Sequence, residues 1–248
     1  MKSIVKVQWR QNPEGEWKAN LFLASEQGFE KRGLEPSIGL SYELSDQRRC
    51  TGYSPEKAER APCPDFRNLE KGSQCPECRG KDIYSGYVRG EKNDLDGEFS
   101  VYLAQIGEEV KVGVTRKEKI PRRWIEQGAD YGSEILSGMS SNKALEREEE
   151  LTGGKITQRI RKENKTSPPK TSLKLGNLLE EKNINSNIID VQNLTVYPEI
   201  EGKFARKGLL EGDIQSVKGQ IISNGRIAIA MTSGKVLKQP KQKGLDSF

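Results

Sequence analysis

The chain has 248 residues, of which 33% are hydrophobic and 31% are charged, with a net charge of +5 and a mean hydropathy of −0.77. Apolar positions spread this thinly argue against one large core and favour several small units. The chain contains no histidine, which excludes the commonest general base and the usual nitrogen ligand of zinc.

Residues 1–47 are predicted to form an N-terminal β element. Within residues 4–24, the segments IVKVQW and WKANLFLA alternate apolar with polar side chains, and the sequence NPEG between them favours a hairpin turn. A further strand is predicted over residues 37–44. The first residues do not form a continuous apolar run, and no segment is apolar over the length needed to cross a bilayer. We therefore expect a cytoplasmic protein without a membrane partner.

Residues 48–98 are expected to form a metal-binding segment, because their first part is rich in Cys, Pro, Gly and Arg and lacks periodicity. Such a stretch cannot bury a core of its own and needs a cross-link. Cys75 and Cys78 form a C-x-x-C step, while Cys50 and Cys63 would complete the set from a loop. Four sulfurs suit a tetrahedral zinc site that supplies folding energy directly. Structural zinc is therefore predicted at Cys50, Cys63, Cys75 and Cys78.

Three other interpretations of these cysteines stay open. Two disulfides would use all four residues, although a reducing compartment argues against them. A redox-active C-x-x-C is a second option, although the expected βαβ context is missing. An iron–sulfur cluster would use the same four ligands, and the sequence spacing does not exclude it.

Residues 99–164 return to an ordered pattern that predicts a small αβ domain: a strand, a turn at Gly107, a second strand, a basic loop and helices. Cutting a phosphodiester requires a cation at the phosphate, a group that activates water and an oxygen ligand for a divalent ion. Residue types for all three tasks occur here. Tyr102 on the first strand could activate water, the arginines of the loop could contact the phosphate, and the glutamates of the last helix could bind the divalent ion.

Four glutamates of that helix compete for the role of metal ligand: Glu146, Glu148, Glu149 and Glu150. Helical geometry favours Glu148, because Ala144 lies four residues before it and Leu151 three residues after it on the same face. Glu146 has polar neighbours at the same spacings and is expected to face solvent.

The motif Ser100-Val101-Tyr102, followed by Lys111-Val112-Gly113, resembles the two strand signatures of the GIY-YIG nuclease superfamily, over about residues 99–152. The resemblance implies that Tyr102 activates water, Arg123 steadies the phosphate and Glu148 binds Mg²⁺ or Mn²⁺. Arg122 is the second choice for the arginine.

Two departures from the superfamily pattern bear on activity. Lys111 stands where the superfamily has its second tyrosine, and it would assist electrostatically. Ser100 and Val101 replace the leading glycine and isoleucine. The motif KVGVT…RRWIEQGA beside the four-cysteine segment is also similar to a prokaryotic conserved family of unknown function, and that similarity covers most of the chain.

The last third of the chain is predicted to hold a linker at 165–184 and a C-terminal β module at 185–248. The Pro-Pro pair of KTSPPKT prevents a helix from continuing through the linker, and Asn224-Gly225 is the strongest hairpin signal of the chain. Basic residues cluster at 111–123 and 155–174, as is typical of proteins that bind a phosphate backbone.

The sequence thus predicts an α+β protein of small modules that binds DNA or RNA and is a candidate metal-dependent endonuclease. The alternative is a non-catalytic, zinc-containing module for nucleic-acid binding or interaction, or a protein whose charges only keep it in solution. In those cases Tyr102 packs at a strand end, Gly113 allows close backbone packing and Arg123 forms a cation–π corner with Trp124. The sequence indicates no oligomeric state.

Overall fold

A computed structural model of the chain describes residues 1–85, 95–152, 156–157 and 159–240. The parts of the predicted segments that fall on 86–94, 153–155, 158 and 241–248 lie outside the described residues. The described part contains four α-helices and sixteen strands in three sheets, which confirms the predicted α+β class.

The helices, in chain order, are α1 (Pro76–Lys81), α2 (Arg122–Gln127), α3 (Ser141–Leu151) and α4 (Leu173–Glu181). The strands are β1 (Lys2–Gln11), β2 (Trp17–Ser25), β3 (Gly28–Gly33), β4 (Gly39–Arg49), β5 (Asn68–Leu69), β6 (Phe99–Ile106), β7 (Glu109–Arg116), β8 (Tyr131–Met139), β9 (Ile156–Thr157), β10 (Ile189–Asp190), β11 (Lys203–Ala205), β12 (Gly208–Asp213), β13 (Ser216–Lys218), β14 (Ile221–Ser223), β15 (Ile227–Ala230) and β16 (Lys235–Lys238).

The largest sheet combines strands from both ends of the described chain. Its order is β12-β4-β16-β1-β2-β3, and β5 pairs with the end of β4. Strands β1 and β2 form the hairpin predicted for residues 4–24. Strand β16 lies between β1 and β4 and is antiparallel to both. The segments 1–47 and 185–248 therefore share one sheet instead of folding as separate units, while the module boundaries themselves stay a prediction.

The five-stranded sheet, of order β10-β8-β6-β7-β9, carries the residues predicted for catalysis. Its central hairpin joins β6 to β7 through Gly107, which adopts a φ of +56°. Helix α2 leads from β7 to β8, and α3 follows β8. Helix α4 buries Leu175, Leu178 and Leu179 in the apolar layer against this sheet. The range 165–184 is therefore not a free linker throughout, because its second half is a packed helix.

The smallest sheet has the order β11-β15-β14-β13. Strands β14 and β15 are antiparallel and connect through Asn224-Gly225, with Gly225 at a φ of +81°. The hairpin predicted from this dipeptide is confirmed. The main apolar core lies where the large sheet, α2 and this small sheet meet, and Trp9 on β1 donates a hydrogen bond to the carbonyl of Gly219 at 2.9 Å.

Asp130 and Lys218 form an ion pair at the junction of the five-stranded and the smallest sheet. Each side chain is only 8% exposed. The second carboxylate oxygen of Asp130 accepts a hydrogen bond from the amide of Gly107 at 2.8 Å. Burial raises the pKa of Asp130, and the nearby Lys218 opposes that shift. Gly128 and Gly219 let the two backbones touch, since a Cβ on Gly219 would lie 2.7 Å from the amide nitrogen of Gly128.

Replacing Asp130 with alanine should destabilise the protein strongly, because it leaves the buried ammonium of Lys218 without its counter-ion. Removing one partner of a buried pair typically costs about 3–5 kcal/mol, which urea unfolding would measure. Glu108→Ala is the matched control: it breaks a pair with Lys174 whose side chains are 67% and 53% exposed, so little change is expected. Equal losses in the two variants would show that the buried pair does not secure the junction.

Candidate metal centre and anion-binding cluster

The four cysteines converge at the end of β4. Their sulfur atoms all lie within 4.8 Å of one another, and all four residues are buried. Cys50 directly follows β4, Cys75 caps the N-terminus of α1, and Cys78 lies in the first turn of that helix. The Sγ atoms of Cys63 and Cys75 are 4.0 Å apart. Residues that are distant in sequence thus form one compact donor set.

The loop that brings these cysteines together is held by backbone hydrogen bonds. The amide of Cys50 donates to the carbonyl of Arg67, and that of Thr51 donates to Ser73, each at 2.9 Å. Gly52, with a φ of +77°, is required at its position, because a Cβ there would lie 2.1 Å from the carbonyl oxygen of Ala61. The loop therefore has a defined path although its sequence lacks periodicity.

The chemistry of the donor set fits a metal ion. All four cysteines are free thiols, and the amide of Cys75 points at the sulfur of Cys50 at 3.2 Å. Burial raises the pKa of Cys50 and of Cys78, so thiolates at these positions need a cation that offsets their charge. Sulfurs around one ion at bonds of about 2.3 Å would lie about 3.8 Å apart. The cluster can hold a single metal ion.

Tyr102, Lys111, Arg123 and Glu148 converge at a second place, on the αβ domain. Tyr102 is 1% exposed and lies across β7 at Gly113, its partner in the β6–β7 register. A Cβ on residue 113 would lie 2.3 Å from the tyrosine hydroxyl. The glycine of the second strand signature is therefore required by the position of Tyr102.

The hydroxyl of Tyr102 is held by two residues of α2. The side-chain amide of Gln127 donates to it at 2.6 Å, and the guanidinium of Arg123 forms a further hydrogen bond. Both arginines pair with Glu126: Arg122, the second choice, at 2.9 Å and Arg123 more loosely at 3.5 Å. Among the described residues, the arginine that bonds to the hydroxyl of Tyr102 is Arg123. Arg123 is thus the arginine that faces the cluster.

Lys111 and Glu148 bring opposite charges to the same place. Both are half-buried. Burial lowers the pKa of Lys111, Arg123 lowers it further, and Glu148 opposes both. Burial likewise raises the pKa of Glu148, with Lys111 opposing. The three competing glutamates are all exposed: Glu146, Glu149 and Glu150. The helical geometry that favours Glu148 therefore agrees with its burial.

The ionisation of Tyr102 bears on its expected role of activating water. A tyrosine that deprotonates water needs a pKa lowered by neighbouring cations, but burial raises the pKa of Tyr102 and outweighs the opposing effect of Arg123. At neutral pH the side chain is therefore a phenol, which can orient a water or an oxygen of a ligand but is a weak base.

Lys165 belongs to this cluster, and the sequence did not single it out. Its ammonium group donates to the backbone carbonyl of Gln127. Burial, followed by the charges of Lys162, Lys111, Lys218 and Arg123, lowers its pKa to about 8. The basic segment 155–174 predicts phosphate binding in general, but Lys165 begins the predicted linker 165–184. Side chains of a linker are expected to be exposed, so the sequence gives no reason to expect a half-buried lysine there. Three cations, Lys111, Arg123 and Lys165, thus lie close enough for their charges to act on one another, and Glu148 is the carboxylate beside Lys111.

The family described as protein of unknown function (DUF2797) matches residues 42–223, more than half of the chain, and the protein belongs to this family. The match runs from β4 through the cysteine loop and the αβ domain to β14. No curated protein and no solved structure matches the chain. Within the described residues, no helix has both the length and the apolar character needed to span a membrane.

Removing the metal should destabilise the protein, because the cysteine segment has few apolar side chains to hold it once the cross-link is lost. We expect about one metal ion per chain by elemental analysis, and a lower urea midpoint after treatment with a chelator. Cys75→Ser should lose the ion. Glu77→Gln, an exposed change in the same C-x-x-C turn, should retain it. A metal-free protein with unchanged stability would rule out a metal centre at these cysteines.

Proposed function

We propose that this member of the DUF2797 family binds nucleic acid at the cluster of Tyr102, Lys111, Arg123, Glu148 and Lys165, and that its four-cysteine loop holds zinc. The observation that carries the proposal is the mutual proximity of three cations, Lys111, Arg123 and Lys165, with a single carboxylate, Glu148, beside Lys111. An excess of positive charge in a half-buried site favours an anion, and phosphate is the anion that a nucleic acid presents.

Each cation has a distinct part in holding a phosphate. Arg123 is 44% exposed and offers a planar fork of donors that matches two phosphate oxygens. Lys111 and Lys165 act as point charges, and their partial burial strengthens the attraction because water screens it less. The hydroxyl of Tyr102 adds a hydrogen-bonding group beneath the site.

The same residues could support hydrolysis of a phosphodiester. Glu148 supplies a carboxylate oxygen, and one such ligand suffices for Mg²⁺ or Mn²⁺, ions that keep most of their waters. The ion would add positive charge where the phosphate becomes more negative. In this assignment Tyr102 orients the attacking water, Arg123 steadies the phosphate and Lys111 lowers the local negative charge. The resemblance to the GIY-YIG superfamily supports these roles.

A second candidate function is binding without cleavage. The raised pKa of Tyr102 and its 1% exposure favour this candidate, because a buried phenol has limited access to a nucleophilic water. The presence of Lys111, where the superfamily has a tyrosine, also favours binding without cleavage. In this case the cluster still binds a phosphate, and its charged groups contribute only to the affinity for nucleic acid.

Zinc is the metal that best suits the cysteine centre. The sulfurs lie within 4.8 Å of one another, a spacing suited to one ion, whereas a cluster of several irons would hold the thiolates on separate metals and further apart. Four sulfur ligands close the coordination shell of zinc and leave no open catalytic position. Free thiols that bind a metal also fit the reducing environment of the cytoplasm.

Cleavage assays on labelled single-stranded, duplex and branched substrates with Mg²⁺ or Mn²⁺ separate the two candidates. We expect Glu148→Gln to abolish cleavage, because it removes the ligand of the ion, and Tyr102→Phe to slow it by about 100-fold or more. Glu149→Gln, an exposed change on the same helix, should cleave like the wild type.

Cleavage that survives both Tyr102→Phe and Glu148→Gln would show that the site is wrongly assigned. Absence of cleavage, together with binding that weakens steeply as salt rises, would select the second candidate.

Nucleic-acid binding should weaken as the pH rises from about 7 to about 9, because the pKa of Lys165 is lowered to about 8 and the attracting cation is lost above it. Lys165→Arg should reduce this fall, since arginine stays protonated. Lys174→Arg, at a side chain that is 53% exposed, should behave like the wild type. Identical pH profiles for all three proteins, measured by fluorescence anisotropy, would remove Lys165 from the binding site.

A further inference from the structure

A basic cleft of about 640 Å³ lies apart from the Tyr102 cluster, between β4, β11, β16 and the turn at 161–163. Six cations and two carboxylates line it, an excess of four positive charges. The lining residues that carry these charges are Arg48, Arg161, Lys162, Arg206, Lys207, Lys235, Asp46 and Glu163. We infer that this cleft binds phosphates of a single-stranded nucleic acid whose backbone continues to the Tyr102 cluster, an inference that rests on the proposed function.

The two carboxylates of the cleft do not cancel its charge. Asp46 accepts from Lys207 at 2.7 Å and from Lys235 at 2.8 Å, and these contacts lower its pKa to about 2. Glu163 is paired with Arg206 at 3.1 Å. Each acid is thus engaged by cations of the cleft, so a bound phosphate would meet a field that is positive on balance.

Two of the cations are held in place by neutral partners. One guanidinium nitrogen of Arg48 donates to the carbonyls of Gly72 at 2.8 Å and Ser233 at 3.0 Å. The ammonium of Lys162 donates to the hydroxyl of Thr232 at 2.6 Å. These bonds fix the positions of the side chains without neutralising them, and each group retains further N–H donors for an anion. The cleft is therefore preorganised for a phosphate.

Lys162 and Lys165 connect the cleft with the Tyr102 cluster. They lie three residues apart, in and next to the 3₁₀ turn at Glu163–Thr166. Burial, followed by the charges of Lys235, Arg48 and Arg206, lowers the pKa of Lys162. The pKa of Lys165 is lowered by burial and by charges that include those of Lys162, Lys111 and Arg123. Positive groups therefore follow one another from the first site to the second, as a continuous phosphate backbone requires.

The half-buried ring of Phe204 also lines the cleft. A basic groove combined with an aromatic side chain is typical of sites for single strands, because an unpaired base can stack on the ring while the backbone meets the cations. A duplex keeps its bases stacked inside and offers only its phosphates. The aromatic residue therefore favours a single strand as the occupant.

The test uses a fluorescently labelled single strand of about 20 nucleotides, with binding measured by anisotropy at several salt concentrations. The double variant Arg161→Gln/Lys162→Gln should bind more weakly, and its salt slope should fall in magnitude by about 0.7 for each lost phosphate contact. Lys31→Gln is the control, because Lys31 is an exposed lysine on β3, at the far edge of the large sheet from β4. Urea midpoints and metal content establish that the variants are folded.

The outcomes separate this inference from the proposed function. If Arg123→Ala weakens binding while Arg161→Gln/Lys162→Gln binds like Lys31→Gln, the cleft is not a binding site and the proposed function stands. If the double variant weakens binding and Arg123→Ala does not, the cleft is a binding site, but the proposed function and the path of the strand to the Tyr102 cluster are both overturned. A wild-type protein that binds no strand overturns both. An unlabelled duplex that competes as well as the single strand overturns the choice of occupant.

Discussion

The buried contact between Asp130 and Lys218 is the constraint on which the arrangement of the candidate site depends. It joins the loop after α2 to strand β13, and the same carboxylate binds the turn of the β6–β7 hairpin. The residue that follows α2 and the β6–β7 turn are thereby both tied to the smallest sheet. A buried ion pair contributes little net stability compared with apolar packing, but it disfavours every arrangement that would leave one charge alone. Its main effect here is to select one geometry.

The orientation of helix α2 depends on contacts around Asp130 and Lys165. The amide of Asp130 donates to the carbonyl of Gln105 on β6 at 2.9 Å, while Lys165 binds the last carbonyl of the helix, that of Gln127. The helix has only six residues and could not hold its own orientation in isolation. The positions of Arg123 and Gln127 over Tyr102 therefore follow from contacts outside the helix, and the cluster is a product of the tertiary structure.

Local signals in the sequence predict the elements that depend on local physics. The alternation in residues 4–24 and the turn at Asn224-Gly225 predict hairpins that form as expected, and Gly128 caps α2 in the left-handed conformation. The 3.6-residue period distinguishes Glu148 from its neighbours on α3. Features that depend on long-range contacts are not predicted by these local signals. The insertion of β16 beside β1, the burial of Lys165 and the raised pKa of Tyr102 depend on residues far away in the chain, and α4 follows a Pro-Pro pair that suggests only a break.

Strand β16 occupies the middle of the large sheet although it is the last strand of the described residues, and this has a consequence for biosynthesis. While the ribosome is still making residues 50–234, β1 and β4 both expose an unpaired edge, and each edge can template pairing with another chain. The sheet closes only after residues 235–238 emerge, and the β1–β16 pairing joins Lys2 to Leu237, the largest sequence separation among the strand pairs of the described residues. Nascent chains of this protein therefore pass through a long interval in which association with one another competes with completion of the fold.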